Sequence, residues 1–249
     1  MVAECCIKGF KWDGTPVGTE GMLGKNNAYI TGTNDEVAVL LIHDIYGWKL
    51  PNIRLLADHF AQEANCTVYV ADFYEGEVLP TSLLESAFRG DITEMGKLDL
   101  RGFLGRHSKA IRQPEIFACA RALKIQYRAV GAVGYCWGAW GCFQLGAKGQ
   151  NLLDCVAVAH PSHLEHGEID ALAVPTLILA PEHDVMFKPA LKEYCNRVIP
   201  GLGVPYRYDH YPGLAHGFAC KSDFEDPVQR AGLERAKDAV VGWLNTFLH

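Results

Sequence analysis

The sequence predicts an α/β protein with a mostly parallel central sheet and helices on both faces. Three observations carry that prediction. Short apolar, β-branched runs alternate with longer helical patterns along most of the chain. Several of these runs are apolar at nearly every position, as expected of strands buried on both faces. No internal repeat, low-complexity stretch or Ser/Gly-rich linker breaks the alternation, so residues 1–249 read as a single domain with ample length for a core.

The elements follow in order. "EVAVLLIHD" (36–44) reads as a buried strand, and "NIRLLADHFAQEAN" as a helix with Asn52 as its candidate N-cap. "CTVYVADF" (66–73) is the next strand. The stretch 80–108 is the least regular and reads as a cap-like insertion with one or two short helices. "PEIFACARALKIQ" (114–126) is a helix with Pro114 in its first turn, where a missing N–H is tolerated. A strand "AVGAVGYC" (129–136) leads into a helix from about Gly138. Strands "CVAVAHP" (155–161) and "PTLILAPEHD" (175–184), a helix "KPALKEYCNRV" (188–198) and a strand "VPYRYDHY" (204–211) come next. A long helix over 227–248 follows them. Strands and helices alternating at this length imply parallel pairing through helical crossovers.

Composition narrows the function classes. Hydrophobic residues make up 49% and charged ones 21%, as in ordinary soluble globular proteins. A net charge of -6 with no basic stripe argues against nucleic acid as a partner. No apolar run of about 18 residues is present to span a membrane. The segment "MVAECCIKGFKWDG" lacks the basic-then-apolar layout of a secretory signal, so a cytoplasmic location is expected. The nine cysteines are odd in number and scattered, and Cys66, Cys119 and Cys155 sit inside apolar runs. Cys5 and Cys6 are too close for an ordinary bridge, and reduced thiols are the expectation. His160, His163 and His166 are spaced so that they drift off one helical face. Neither a C-x-x-C pair nor an H-E-x-x-H pattern accompanies them, so neither a metal nor another cofactor is expected.

One short stretch carries chemistry. "VGYCWGAWG" (133–141) places Cys136 in a G-x-C-x-G frame where a strand passes into a helix. In open parallel sheets, ligands bind outside the carboxyl ends of the strands. A nucleophile elbow needs small residues beside its strained central residue. The following helix N-terminus offers N–H groups and a positive dipole end, which favour a thiolate and can hold an oxyanion. Taken alone, the frame is a weak signal and fits a structural cysteine in a glycine-rich turn better. Its partners change the weighting. Asp184 ends the strand "PTLILAPEHD", and His216 follows the next strand in "YPGLAHGF". Nucleophile, acid, base is the chain order of an α/β-hydrolase fold. His183 adjoins Asp184, and adjacent side chains rarely face one another, so His216 is the better base.

These residues resemble the dienelactone hydrolase (carboxymethylenebutenolidase) family, and its eukaryotic, fungal-like branch in particular. The similarity runs from "AYITG" through "LLIHDIYGW", "NIRLLADHFA", "VYVADFYEGE", "GYCWGA" and "PEHD" to "PGLAHGF". It implies a triad of Cys136, His216 and Asp184, with an oxyanion hole from the backbone N–H groups of Ile45 and Trp137. Bacterial members carry a glutamate where this chain has Asp44, which is read as a charge near the thiol, with a cap of its own turn as the alternative. Asp44, Tyr74, Tyr135, His160 and Phe218 are the expected pocket or supporting residues, with Ser162 also at a strand's end. Arg89, Arg101 and Arg106 read as surface charges of the insertion.

The resemblance implies a cofactor-free hydrolase acting on a lactone or small ester through a thioester, as monomer or homodimer. The alternatives are the same machinery on another acyl or diketone substrate, and a non-catalytic binding protein or thiol sensor. One departure bears on the substrate. Bacterial members open the run after the histidine as H-S-F-x-R, whose serine and arginine are implied to grip a carboxylate. Here it is His216, Gly217, Phe218, Ala219, Cys220, and Lys221 is offset by one residue, so its side chain is expected to point elsewhere. A neutral substrate is the corresponding expectation.

Overall fold

Strand burial follows the apolar runs. The structure is a computed structural model that describes residues 12–88, 93 and 97–249; Cys5, Cys6 and Arg89 lie outside them. β1 (Thr19–Leu23) and β2 (Asn26–Thr31) form an antiparallel hairpin with exposed positions. β3 (Val37–Ile42), β4 (Thr67–Ala71), β5 (Ala129–Tyr135) and β6 (Cys155–Ala159) are buried at every residue. β7 (Thr176–His183) and β8 (Tyr206–Ala215) complete an eight-stranded sheet of order β1-β2-β4-β3-β5-β6-β7-β8. From β4 through β8 every neighbouring pair is parallel, and β2 joins β4 antiparallel.

Glycines show how the helices divide between the faces. A Cβ on Gly131 would meet Leu244 and Leu248, whereas one on Gly134 would meet Cys142 and Ala139. The two positions are an odd number of residues apart on one strand, so they point to opposite faces. The helices Gly138–Leu145 and Pro227–Leu248 therefore cover opposite sides of the sheet. Among the described residues the α-helices with assigned bounds are, in chain order, α1 (Pro51–Glu63), α2 (Thr81–Phe88), α3 (Leu100–Arg106), α4 (Lys109–Gln126), α5 (Gly138–Leu145), α6 (His166–Asp170), α7 (Pro189–Val198), α8 (Phe218–Lys221) and α9 (Pro227–Leu248).

Several boundaries differ from expectation, and three of the differences bear on the packing. The cap of α1 lies two residues before Asn52, at Leu50, with Pro51 in the first turn. The Asn52 side chain is drawn into tertiary bonds instead. Its amide donates to Cys220 O at 2.9 Å, and its Oδ1 accepts the Trp12 N–H at 3.1 Å. α4 begins at Lys109, so Pro114 lies inside the helix. β8 continues to Ala215, which pairs with His183 across a register shift in β7.

β3 lies between β4 and β5, so the chain winds away from it in both directions. A crevice opens at the carboxyl end of a strand placed that way. Residues 44–47 and Cys136 leave the sheet there.

Candidate active site

Cys136 follows β5 with φ 49°, a left-handed conformation uncommon for a side chain with a Cβ. The flanking glycines make that turn possible. A Cβ on Gly138 would stand 2.1 Å from Ile42 O, and one on Gly134 2.7 Å from both Cys142 Sγ and Gly138 O. The β6 exit clamps the turn. Cys136 N–H donates to Ala159 O at 3.1 Å, and Ser162 N–H donates to Cys136 O at 3.0 Å. Ser162 Oγ lies 3.5 Å from Cys136 Sγ.

Asp184 follows β7, and its buried Oδ1 accepts N–H bonds from Met186 at 2.8 Å and Phe187 at 2.9 Å. Both carboxylate oxygens lie 2.9 Å from His216 Nδ1. Burial favours the neutral acid, but the His216 bond and charge and the two N–H donors outweigh it and hold the carboxyl below its usual range. Because a carboxylate only accepts, Nδ1 carries the proton. Nε2 is then the basic nitrogen, buried and without a hydrogen-bond partner among the described residues. Burial alone would lower the His216 pKa. The Cys136 thiolate charge and the bond to Asp184 reverse this and raise it to about 10. The His183 side chain is 61% exposed, away from this group.

The turn after β3 supplies the facing side. The N–H groups of Ile45 and Trp137 enter no hydrogen bond of the fold among the described residues. Asp44 does cap its own turn, with Oδ1 accepting the Tyr46 N–H at 2.9 Å. Its Oδ2 accepts from the thiol of Cys220 at 3.4 Å, and no hydrogen bond joins it to Cys136. Burial first, and then the Asp44 charge, push the Cys220 thiol far up. His43 lies beneath this turn, its ring within 2.8 Å of Asp44 O and accepting the Phe73 N–H at 3.2 Å. It thus ties the ends of β3 and β4 together.

Cys136, His216, Asp44, Ile45, Trp137 and His160 all line one cavity of about 170 Å³. Apolar side chains of Tyr46, Tyr74, Leu100, Leu104 and Met186 form much of its wall. Tyr135 and Phe218 do not line it; both pack behind His160, with ring centroids 5.9 and 5.8 Å away. His160 also stands edge-on to His216 at 4.9 Å. Burial, then the charges of His216 and Lys221, keep it neutral. Within 80–108, Leu100 and Leu104 of α3 reach the cavity, while Arg106 pairs with Glu77 at 2.6 Å and Asp99 at 3.0 Å.

Lys221 departs from expectation. Gly217 takes φ 91°, and a Cβ there would lie 2.4 Å from Lys221 Cε, so the lysine folds back over the glycine. Its ammonium reaches the cavity wall, 3.4 Å from Tyr46 Oη and 4.7 Å from that ring's centroid. Sequence reasoning also missed Leu100, Leu104 and Met186. Nothing beyond the apolarity of Leu100 and Leu104 in the irregular 80–108 stretch, and of Met186 in the loop after β7, marked them.

Among the described residues no group of three His, Cys, Asp or Glu side chains is placed to hold a metal ion. None of the described helices is long and apolar enough to cross a membrane. The seven described cysteines are unpaired.

Comparison with known proteins gives a consistent result. Hydrolase tropI of Talaromyces stipitatus is 27% identical, over 98% of this chain and 96% of its own. The human carboxymethylenebutenolidase homolog is also 27% identical, with coverage of 98% and 96%. Among solved structures, carboxyl esterase 2 of Tuber melanosporum superposes with TM-score 0.65 at 14% identity, covering 98% of this chain and 91% of that one. The dienelactone hydrolase of Anabaena variabilis does so with TM-score 0.61 at 14% identity, covering 93% and 97%. These likenesses share the α/β-hydrolase fold. The sequence profile of the Dienelactone hydrolase family matches residues 27–248, a span that holds every residue of the cavity and all of the sheet but β1 and the first residue of β2. On the reach of that match the chain is an ester or lactone hydrolase and belongs to the dienelactone hydrolase family.

Proposed function

We propose that this hydrolase opens a small lactone or cleaves a small ester through a thioester on Cys136. One observation carries the reading: a thiol held at positive φ shares a cavity with an imidazole whose far nitrogen is fixed by both oxygens of Asp184. His216 Nε2 takes the Cys136 thiol proton, the resulting thiolate attacks the carbonyl carbon, and the carbonyl electron pair moves onto oxygen. The N–H groups of Ile45 and Trp137 receive that oxyanion. His216 gives its Nε2 proton to the departing alkoxide as the C–O bond breaks. Water then attacks the thioester, passing a proton to Nε2, and the C–S bond breaks to release the acid.

Cavity size bounds the acyl group. An apolar cavity of about 150 Å³ is known to accept benzene, so a space of about 170 Å³ fits a single ring with a short substituent. The test is hydrolysis of p-nitrophenyl acetate by the parent and by Cys136→Ala, with peptide mapping after brief iodoacetamide treatment. Activity should vanish in the variant, and Cys136 should be alkylated before the other thiols. Persistent activity in Cys136→Ala would end the proposal.

A further inference from the structure

The exit of β6 is bent twice through left-handed residues, His160 with φ 38° and His163 with φ 59°. Such conformations are costly for residues with a Cβ and persist where the surroundings enforce them. Between them sits Ser162, 1% exposed and lining the cavity. Its N–H is bonded to Cys136 O at 3.0 Å, and its Oγ stands 3.5 Å from Cys136 Sγ. The serine is thus anchored to the backbone of the residue whose sulfur it touches. Among the described residues that sulfur is the only hydrogen-bond partner of its hydroxyl.

We infer that Ser162 is a catalytic residue, whose hydroxyl donates a hydrogen bond to the Cys136 sulfur whenever that sulfur is negatively charged. The inference rests on the proposed role of Cys136 as nucleophile. A thiolate only accepts, and the serine hydroxyl has one proton to give. In acylation the sulfur's negative charge is consumed as the C–S bond forms, and the hydroxyl loses its charged acceptor. In deacylation the sequence reverses. Water oxygen bonds to the thioester carbon, one water proton goes to His216 Nε2, and the carbonyl pair moves to oxygen. As the carbonyl re-forms, the C–S bond breaks and its electron pair leaves on Sγ. Ser162 then meets the charge that appears there, so its main effect falls on thioester breakdown.

The experiment compares Ser162→Ala, Ser162→Thr and Cys136→Ala with the parent enzyme. Hydrogen bonds to charged groups are worth enough to change a rate by roughly 10- to 150-fold. Ser162→Ala should retain the p-nitrophenolate burst but slow the steady state by at least about 10-fold. A thioester adduct should accumulate in its mass spectrum. The pH of half-maximal alkylation by iodoacetamide should rise by about one unit, and Ser162→Thr, which keeps the hydroxyl, should restore most of both. Two results would overturn the inference while Cys136→Ala is inactive. One is a Ser162→Ala enzyme with parental burst, turnover and alkylation profile; the other is a slow enzyme with an unmoved profile and no rescue by threonine. If Cys136→Ala stays active, the nucleophile itself is misassigned and both readings fall.

Discussion

His216 has unlike neighbours on its two nitrogens, a doubly accepting carboxylate at Nδ1 and a thiol beyond Nε2. Its folded pKa of about 10 lies above the ordinary 6.5, so folding takes up a proton between those values. The resulting stability is fully present below pH 6.5 and is lost as pH rises through about 10. The Tm of the parent should therefore fall across that window, and His216→Gln should flatten the fall; parallel Tm curves would contradict the assignment. In catalysis His216→Ala should lower kcat by several orders of magnitude, as loss of a triad base does. His183→Ala, with its exposed ring, should change kcat by less than about 3-fold, within the range of ordinary surface substitutions. Lys221 offers a third residue-scale test. Because its ammonium lines the cavity, Lys221→Met should reduce kcat/KM for a carboxylate-bearing lactone by roughly 10- to 150-fold while sparing a neutral lactone of similar reactivity. Equal effects on the two substrates would remove Lys221 from recognition.

At the scale of elements, the elbow and the insertion behave differently. Gly138 has no freedom to accept a side chain, since the clash is with backbone oxygen of the neighbouring strand. Gly138→Ala should destabilise the protein by about 3 kcal/mol and abolish activity, measured by urea denaturation and ester hydrolysis. Leu104 of α3, in contrast, is a wall of the cavity. Leu104→Ala should shift preference toward longer acyl chains, read as the ratio of p-nitrophenyl butyrate to acetate turnover; an unchanged ratio would mean that α3 does not bound the acyl site. The elbow was legible in the sequence because its glycines, its strand and its helix adjoin along the chain. The 80–108 stretch was legible as an irregular segment with one or two short helices, and no further. Which of its leucines meets the cavity depends on Phe103 packing at 4.8 Å against Tyr74 and His107 bonding Glu77 at 2.8 Å, and no local pattern announces either contact.

For the whole molecule, strands buried on both faces made the sheet readable, because their apolar runs need no tertiary information to be recognised. Where the reading failed, a distant partner had taken over. Asn52 has the composition of a cap, yet the backbone of residues 12 and 220 claims its side chain. Lys221 is turned by a left-handed glycine four residues before it, and the extra pairing of β8 depends on His183 across a bulge. The Asn52 bridge has a further result. Trp12 N–H, Trp12 Nε1–H to Ser222 O at 3.0 Å, and the Asn52 amide together fasten the start of the described chain to the helix just past His216. Residues some two hundred positions apart are thus strapped together just past the His216 loop. During synthesis Cys136 emerges long before these bonds can form, so a nascent chain carries that thiol without His216 or the strap beside it.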